Sequence, residues 1–214
     1  MTEQHHCITR PGEQKPAVEL RLKLRADRWG VFYPLLSAGV LARTVEGANV
    51  RTTLLRELGL SEEYVSRRVT TVFLDGKPVP DIDAALLMPG SVLALSGVLP
   101  EPFLRHGVGW KRYSDSPQEH GSASREAARI SYRLKVFNIL LGDLTPKLLG
   151  SGVFVQSREL EGFLAGQDDR FPQGLDGAFM DGAPIPLSQM RNVRWSECAR
   201  LIKLIVTADS AESR

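Results

Sequence analysis

The sequence lacks the residues on which several classes of protein depend. Only two cysteines occur among its 214 residues, and they cannot form the disulfide framework of a small secreted domain. The net charge is only +2, so the molecule as a whole is not drawn to nucleic acid or to an anionic membrane. No apolar run approaches the roughly 20 residues of a membrane span, and the polar start has no signal-peptide core. These absences predict a cytoplasmic protein that contacts no membrane.

The residue types that carry catalysis or bind metals are also sparse. Residues 5–7 are two histidines and a cysteine, but three adjacent donors cannot all converge on one ion, and a structural zinc site needs a fourth ligand. Cys198 has no histidine near it in the sequence to activate its thiol. Asp75 is explained by turn chemistry, and Asp81 and Asp83 follow the same turn. We predict no catalytic residues, no metal and no cofactor, and consider an enzyme less favoured than a binding protein.

What the sequence does contain is a phrase that occurs twice. Residues 73–80 read FLDGKPVP, and residues 179–186 read FMDGAPIP. Two further pairs of segments match in the same order and at nearly the same offset: 20–24 with 132–136, and 35–40 with 148–153. Such a repeat indicates that one structural unit is present in two copies.

Each copy predicts the same order of elements. In residues 20–24 leucines alternate with basic residues, which predicts a half-buried strand. A loop and a second strand follow, then a helix, for which Asn49 in the first copy and Ser157 in the second are the candidate N-caps. A hairpin and a final strand complete the copy. Asp-Gly between apolar runs is a strong signal for a tight turn, so we predict structural turns at Asp75, Gly76, Asp181 and Gly182.

Three segments of the first copy carry a resemblance to a known family. They are VRTTLLRELGL at 50–60, VFLDGKPV at 72–79 and LMPGSVLAL at 87–95. Together with the order of elements they resemble the β-grasp (ubiquitin-like) fold, and in particular the sulfur-carrier proteins of thiamin and molybdopterin biosynthesis, over residues 17–98. The resemblance implies a small mixed sheet packed on one helix. Those carriers act through a free C-terminal Gly-Gly, which this sequence does not contain, so the resemblance implies the fold without the carrier chemistry.

The predicted fold class is therefore α+β, with two β-grasp-like units in tandem. We expect a flexible N-terminus at 1–16, a β-grasp-like domain at 17–100 and a linker at 101–128. A second, shorter β-grasp-like domain follows at 129–208, and a flexible C-terminus at 209–214.

The sequence predicts function only at the level of class. The leading expectation is a non-enzymatic binding or adaptor protein with a protein partner, which contacts the sheet edges and a cluster of loop aromatics: Trp29, Phe32 and Tyr33. The alternatives are a carrier-like accessory factor in sulfur or molybdenum-cofactor metabolism and an enzyme with an interdomain site. A homo-oligomer is a further possible partner arrangement, since pairing between chains would bury the sheet edges.

A stripe of outward-facing basic residues could bind phosphate backbones, but it could equally keep an exposed sheet soluble. The predicted pattern places no aromatic residue among its members, so nucleic acid is not expected as a partner. The stripe consists of Arg21, Lys23, Arg25, Arg28, Arg133 and Lys135.

Overall fold

The computed structural model describes residues 15–25, 27–97 and 128–208. Ten strands occur in these ranges: β1 Lys15–Leu24, β2 Val40–Val45, β3 Thr71–Leu74, β4 Lys77–Pro78, β5 Val92–Gly97, β6 Arg129–Asn138, β7 Val153–Gln156, β8 Leu175–Met180, β9 Ala183–Pro184 and β10 Ala199–Ala208. All ten belong to one mixed sheet with the order β4-β3-β5-β6-β2-β7-β10-β1-β8-β9.

Six α-helices accompany the sheet in the same ranges: α1 Tyr33–Ala38, α2 Val50–Thr52, α3 Glu62–Arg68, α4 Ile139–Ser151, α5 Ser157–Ala165 and α6 Trp195–Cys198. A π-helical turn, Thr53–Glu57, continues α2, and 3₁₀ turns lie at Trp29–Phe32, Pro172–Gly174 and Met190–Asn192. Asn49 caps α2, because its side chain accepts a 2.8 Å hydrogen bond from the backbone N–H of Thr52. The N-cap predicted at Asn49 is therefore confirmed.

The α+β class is confirmed, whereas two separate β-grasp units are not, since the strands of both sequence copies form a single sheet. β1 lies between β8 and β10, which both come from the second copy. β6 lies between β2 and β5, which both come from the first copy. The first strand of each copy is thus exchanged into the other.

The predicted domain boundaries stay predictions. Of the predicted linker at 101–128 only Ala128 belongs to the described residues, and the predicted C-terminus at 209–214 lies outside them. At the N-terminus, residues 15 and 16 form the start of β1 rather than a separate segment.

The sheet consists of two five-stranded halves that repeat one pairing pattern. The first half is β2-β6-β5-β3-β4, and the second half is β7-β10-β1-β8-β9. From the centre outward, each half pairs its strands antiparallel, parallel, antiparallel and antiparallel. The halves meet at β2 and β7 through one register pair, Leu41 with Phe154. The sheet therefore has an approximate two-fold relation centred on that pair.

The two Asp-Gly turns show that the halves are built alike. All four predicted turn residues have positive φ, between 49° and 84°, which is the type I′ geometry that matches strand twist: Asp75, Gly76, Asp181 and Gly182. The Asp75 carboxylate accepts a 2.7 Å hydrogen bond from the Val92 N–H of β5. The Asp181 carboxylate accepts a 2.9 Å hydrogen bond from the Glu19 N–H of β1. In the second half β1 therefore takes the place that β5 has in the first.

One face of the sheet is packed against the helices. Leu20 and Leu22 of β1, Leu134 of β6 and Leu204 of β10 are fully buried, and α4 and α5 contact the central strands. Because side chains alternate between the two faces of a strand, the neighbouring residues of the same strands must point to the opposite face. That opposite face carries basic side chains among apolar ones.

Candidate binding face

The face of the sheet opposite the helices is the candidate functional site, and we call it the open face. Register pairs place one row of outward side chains across six adjacent strands: Val92, Arg133, Leu41, Phe154, Lys203 and Glu19. A second row on the same face pairs Arg21 with Phe179. By the alternation of their strands, Lys23, Arg43 and Lys135 also lie on this face.

The open face concentrates positive charge. It carries six cationic side chains, and only two carboxylates, Glu19 of β1 and Glu159 of α5, contact them. The face therefore holds a net charge of +4, whereas the whole chain carries +2. The six cations are Arg21, Lys23, Arg43, Arg133, Lys135 and Lys203. A surface of one sign attracts and orients partners of the opposite sign.

Three of these cations have acidic neighbours. Glu19 accepts hydrogen bonds from Arg21 at 2.9 Å and from Lys203 at 3.1 Å, and these two bonds lower the pKa of Glu19 from its ordinary value. Arg133 contacts Glu159 at 3.1 Å and donates to the Gly39 carbonyl at 2.8 Å. Within the described ranges Lys23, Arg43 and Lys135 have no carboxylate partner.

Gly39, just before β2, leaves space for the side chain of Arg133. Its φ is 111°, and a Cβ added there would lie 2.8 Å from the Cγ of Arg133, which no real side chain tolerates. A glycine at this position thus holds Arg133 on the open face, where its exposed fraction is 21%.

Two aromatic rings lie among the cations. The guanidinium carbon of Arg43 is 4.5 Å from the ring centroid of Phe154, and the Lys23 ammonium nitrogen is 5.7 Å from the ring centroid of Phe179. Both distances fall within the range of cation–π contacts. Both rings are half-buried. The pattern read from the sequence disfavours nucleic acid because it places no aromatic here, and these two rings remove that reason.

Sequence reasoning missed Arg43, Phe154, Phe179 and Lys203. A signal for two of them was present, because Leu41 and Phe154 occupy matching positions of the repeat. Arg43 lies two residues after Leu41 and therefore on the same face of its strand. The repeat would then place Phe154, the match of Leu41, on that face of the second copy. Of the predicted basic stripe, Arg25 is paired with Asp176 at 2.8 Å instead.

The loop aromatics predicted to contact a partner are largely part of the core. Phe32 is fully buried, and its ring stacks 5.8 Å from that of Phe163, so its side chain is not available to a partner. Trp29 and Tyr33 are half-buried, and Trp29 packs against the core. A partner could reach only the exposed parts of these two rings.

The sheet edges offer little backbone for pairing with a partner strand. The outermost strands, β4 and β9, are two residues long, and each contains a proline, Pro78 and Pro184. Proline cannot donate a ladder hydrogen bond, and short edge strands are a usual protection against edge-to-edge association.

The aspartates and the cysteine considered for catalysis in the sequence lie in different local environments. The Asp81 carboxylate accepts from the backbone N–H of Asp83 at 2.8 Å, and Asp83 in turn pairs with an arginine of α2 at 2.7 Å. Cys198 is buried, with 3% exposure. Arg28 lines a shallow cleft of about 350 Å³ beside α5. No group of three or more possible metal ligands occurs in the described part of the chain, and residues 5–7 lie outside it.

Comparison with known proteins identifies no relative, since no family model, no curated protein and no solved structure matches the chain. Among the described residues, no helix has the length and apolar character required to traverse a bilayer. The open face is therefore the feature from which function has to be argued.

Proposed function

We propose that this protein is a non-enzymatic binding protein whose open face holds an anionic macromolecule. The observation that supports this most directly is the gathering of six cations on one sheet face of a chain whose net charge is +2. A face with a net charge of +4 attracts anions, although the remainder of the chain carries −2.

The sheet also fixes the spacing of these cations. Neighbouring strands lie about 4.8 Å apart, and residues on the same face of a strand lie about 7 Å apart. Cations held at such spacings lose less conformational freedom when they bind repeated anionic groups than cations on a flexible segment would. A partner with regularly spaced negative charges fits this arrangement better than a single small anion.

A protein adaptor that works through edge pairing is less well supported. β4 and β9 are too short for an added strand to gain many hydrogen bonds. The open face, by contrast, offers side chains from six adjacent strands.

Binding to heparin at several salt concentrations tests the proposal. The intact protein should bind in low salt, with an affinity that falls as salt rises, because bound cations release counterions from the polyanion. Lys135→Gln removes one unpaired cation of the open face and should weaken binding about fivefold, or ~1 kcal/mol. Glu19→Gln should strengthen binding, since it frees Arg21 and Lys203 from their carboxylate neighbour.

Arg67→Gln is the matched control. It removes one positive charge from α3, where Arg67 is 75% exposed and pairs with Glu63 at 2.9 Å. If Arg67→Gln weakens binding as much as Lys135→Gln, net charge alone explains the result, and the open face is not the binding site. A protein that does not bind heparin even in low salt also contradicts the proposal.

A further inference from the structure

We infer that the anionic partner is a single-stranded nucleic acid whose bases stack at the Arg43–Phe154 and Lys23–Phe179 pairs. The inference rests on the proposed function and names the chemistry of the partner. It adds to the charge of the open face the two aromatic rings that contact its cations.

The rings are the observation that separates nucleic acid from other polyanions. An acidic peptide or a sulfated polysaccharide needs cations and gains nothing specific from an aromatic ring. A nucleic acid base has a π face that stacks on aromatic rings and on arginine guanidinium planes alike. Arg43 lies 4.5 Å over Phe154 and is exposed, so a base can stack on the guanidinium or replace it on the ring.

Two cations lie between the two rings, an order that suits a polynucleotide. Phe154 of β7 is in register with Lys203 of β10, and Arg21 of β1 is in register with Phe179 of β8. Lys203 itself is in register with Glu19, which lies two residues before Arg21 in β1. Three strand intervals of about 4.8 Å across the sheet and a step of about 7 Å along β1 separate the two rings, or about 16 Å in all. The two cations between the rings share the carboxylate of Glu19, and phosphates that link stacked bases would compete with that carboxylate for them.

Single strands fit this face better than a duplex. The major groove of B-DNA is about 12 Å wide and admits a helix or a two-stranded ribbon. The strip from β6 to β8 crosses six strands, and five intervals of about 4.8 Å make it about 24 Å wide. Such a strip cannot enter the groove, and in a duplex the base faces are already stacked on one another.

The test measures fluorescence anisotropy of a labelled oligothymidylate of about twenty nucleotides, long enough to cross the strip. A duplex of the same length, heparin and a poly-aspartate peptide serve as competitors. We expect the oligothymidylate to bind in low salt and the duplex to bind more weakly. Phe154→Leu combined with Phe179→Leu removes both rings and keeps all charges, so it should weaken oligothymidylate binding at least tenfold and leave heparin binding unchanged.

Tyr33→Leu is the control, because it removes a half-buried aromatic of α1, whose helix contacts β6 and α4. Circular dichroism and melting temperature establish that each variant is folded; if the double variant is not, Phe154→Leu and Phe179→Leu are measured singly. An equal loss of affinity from Tyr33→Leu overturns the inference.

The remaining outcomes distinguish this inference from the proposed function. Binding of heparin without binding of oligothymidylate overturns the inference and leaves the proposed function standing. Stronger competition by poly-aspartate than by oligothymidylate at equal charge indicates an acidic protein partner and also overturns it. Failure to bind any of the polyanions overturns both.

Discussion

The exchange of first strands predicts which other strands a defect in β1 destabilises. Leu22 is fully buried and lies in register with Ala178 of β8 and Val206 of β10. These partners come 156 and 184 residues later in the chain. Leu22→Ala should therefore loosen β8 and β10 rather than β2 and β5, although the latter belong to the same sequence copy as β1.

The expected magnitude follows from the burial of Leu22. Truncation of a fully buried leucine to alanine removes its transfer free energy and leaves a cavity, which together cost about 3–5 kcal/mol. Domains of ordinary stability unfold with about 5–15 kcal/mol, so the variant should remain folded at room temperature. Urea unfolding should show a lower midpoint with an unchanged m-value.

Hydrogen exchange followed by mass spectrometry locates the effect, since amides in a loosened region exchange faster than those of the intact remainder. Leu134→Ala is the matched comparison, because Leu134 is fully buried in β6 and lies in register with Val40 of β2 and Leu93 of β5. It should loosen β2 and β5. If Leu22→Ala instead speeds exchange in β2 and β5 and spares β8 and β10, the exchanged arrangement is refuted.

Three further predictions concern stability. Gly76→Val and Gly182→Val should each lower the free energy of unfolding by at least about 1 kcal/mol, because φ at both positions is positive. The control Gly162→Ala, in the middle of α5 with open space around it, should not lower it. Melting temperatures of the two valine variants equal to that of the unchanged protein would contradict this prediction. Tyr132→Phe should cost nothing or stabilise in urea unfolding, because among the described residues its buried hydroxyl has no hydrogen-bond partner. Glu19→Gln should reduce the loss of stability that the protein shows as the pH falls. Because the pKa of Glu19 is lowered in the folded state, its ion pairs contribute fully to the free energy of unfolding above its ordinary pKa of 4.5, and this contribution is lost as the pH falls through the lowered pKa.

Local signals in the sequence were sufficient for the strands and turns. β1 and β6 follow from the alternation of apolar and basic residues, and both hairpins follow from Asp-Gly. Ser157 was a weaker signal: α5 begins at Ser157 itself, with Gln156 as its N-cap, and the Ser157 hydroxyl donates to the Arg200 carbonyl at 3.2 Å. A tertiary hydrogen bond has replaced the local one that the pattern predicts.

α4 could not be predicted from local signals. It runs through Ile139–Ser151, which the sequence pattern gives as a loop, and contains Pro146 and two glycines. These residues oppose an isolated helix. The segment is helical because Leu140, Leu144 and Leu148 are buried where α4 packs on β5, β6 and β10. That burial depends on strands that are distant in the chain.

The order of strands could not be predicted either, and the reason lies in the repeat itself. Residues 20–24, LRLKL, and 132–136, YRLKV, have the same alternation and the same basic positions. Either segment can fill the first-strand position of either copy with its apolar side chains inward. A pattern that suits two positions equally cannot specify which one is occupied, so only the long-range pairing in the structure shows that the strands are exchanged.

The exchange also explains how the open face acquires its composition. Arg21 and Lys23 belong to the first sequence copy, whereas Phe179 and Lys203 belong to the second. In two self-contained units these cations and this ring would lie on different sheets. Because β1 is inserted between β10 and β8, Arg21 lies in register with Phe179, and Lys23 reaches within 5.7 Å of the same ring. The set of rings and cations that we propose binds a polynucleotide is therefore a product of strand exchange, and neither sequence copy contains it alone.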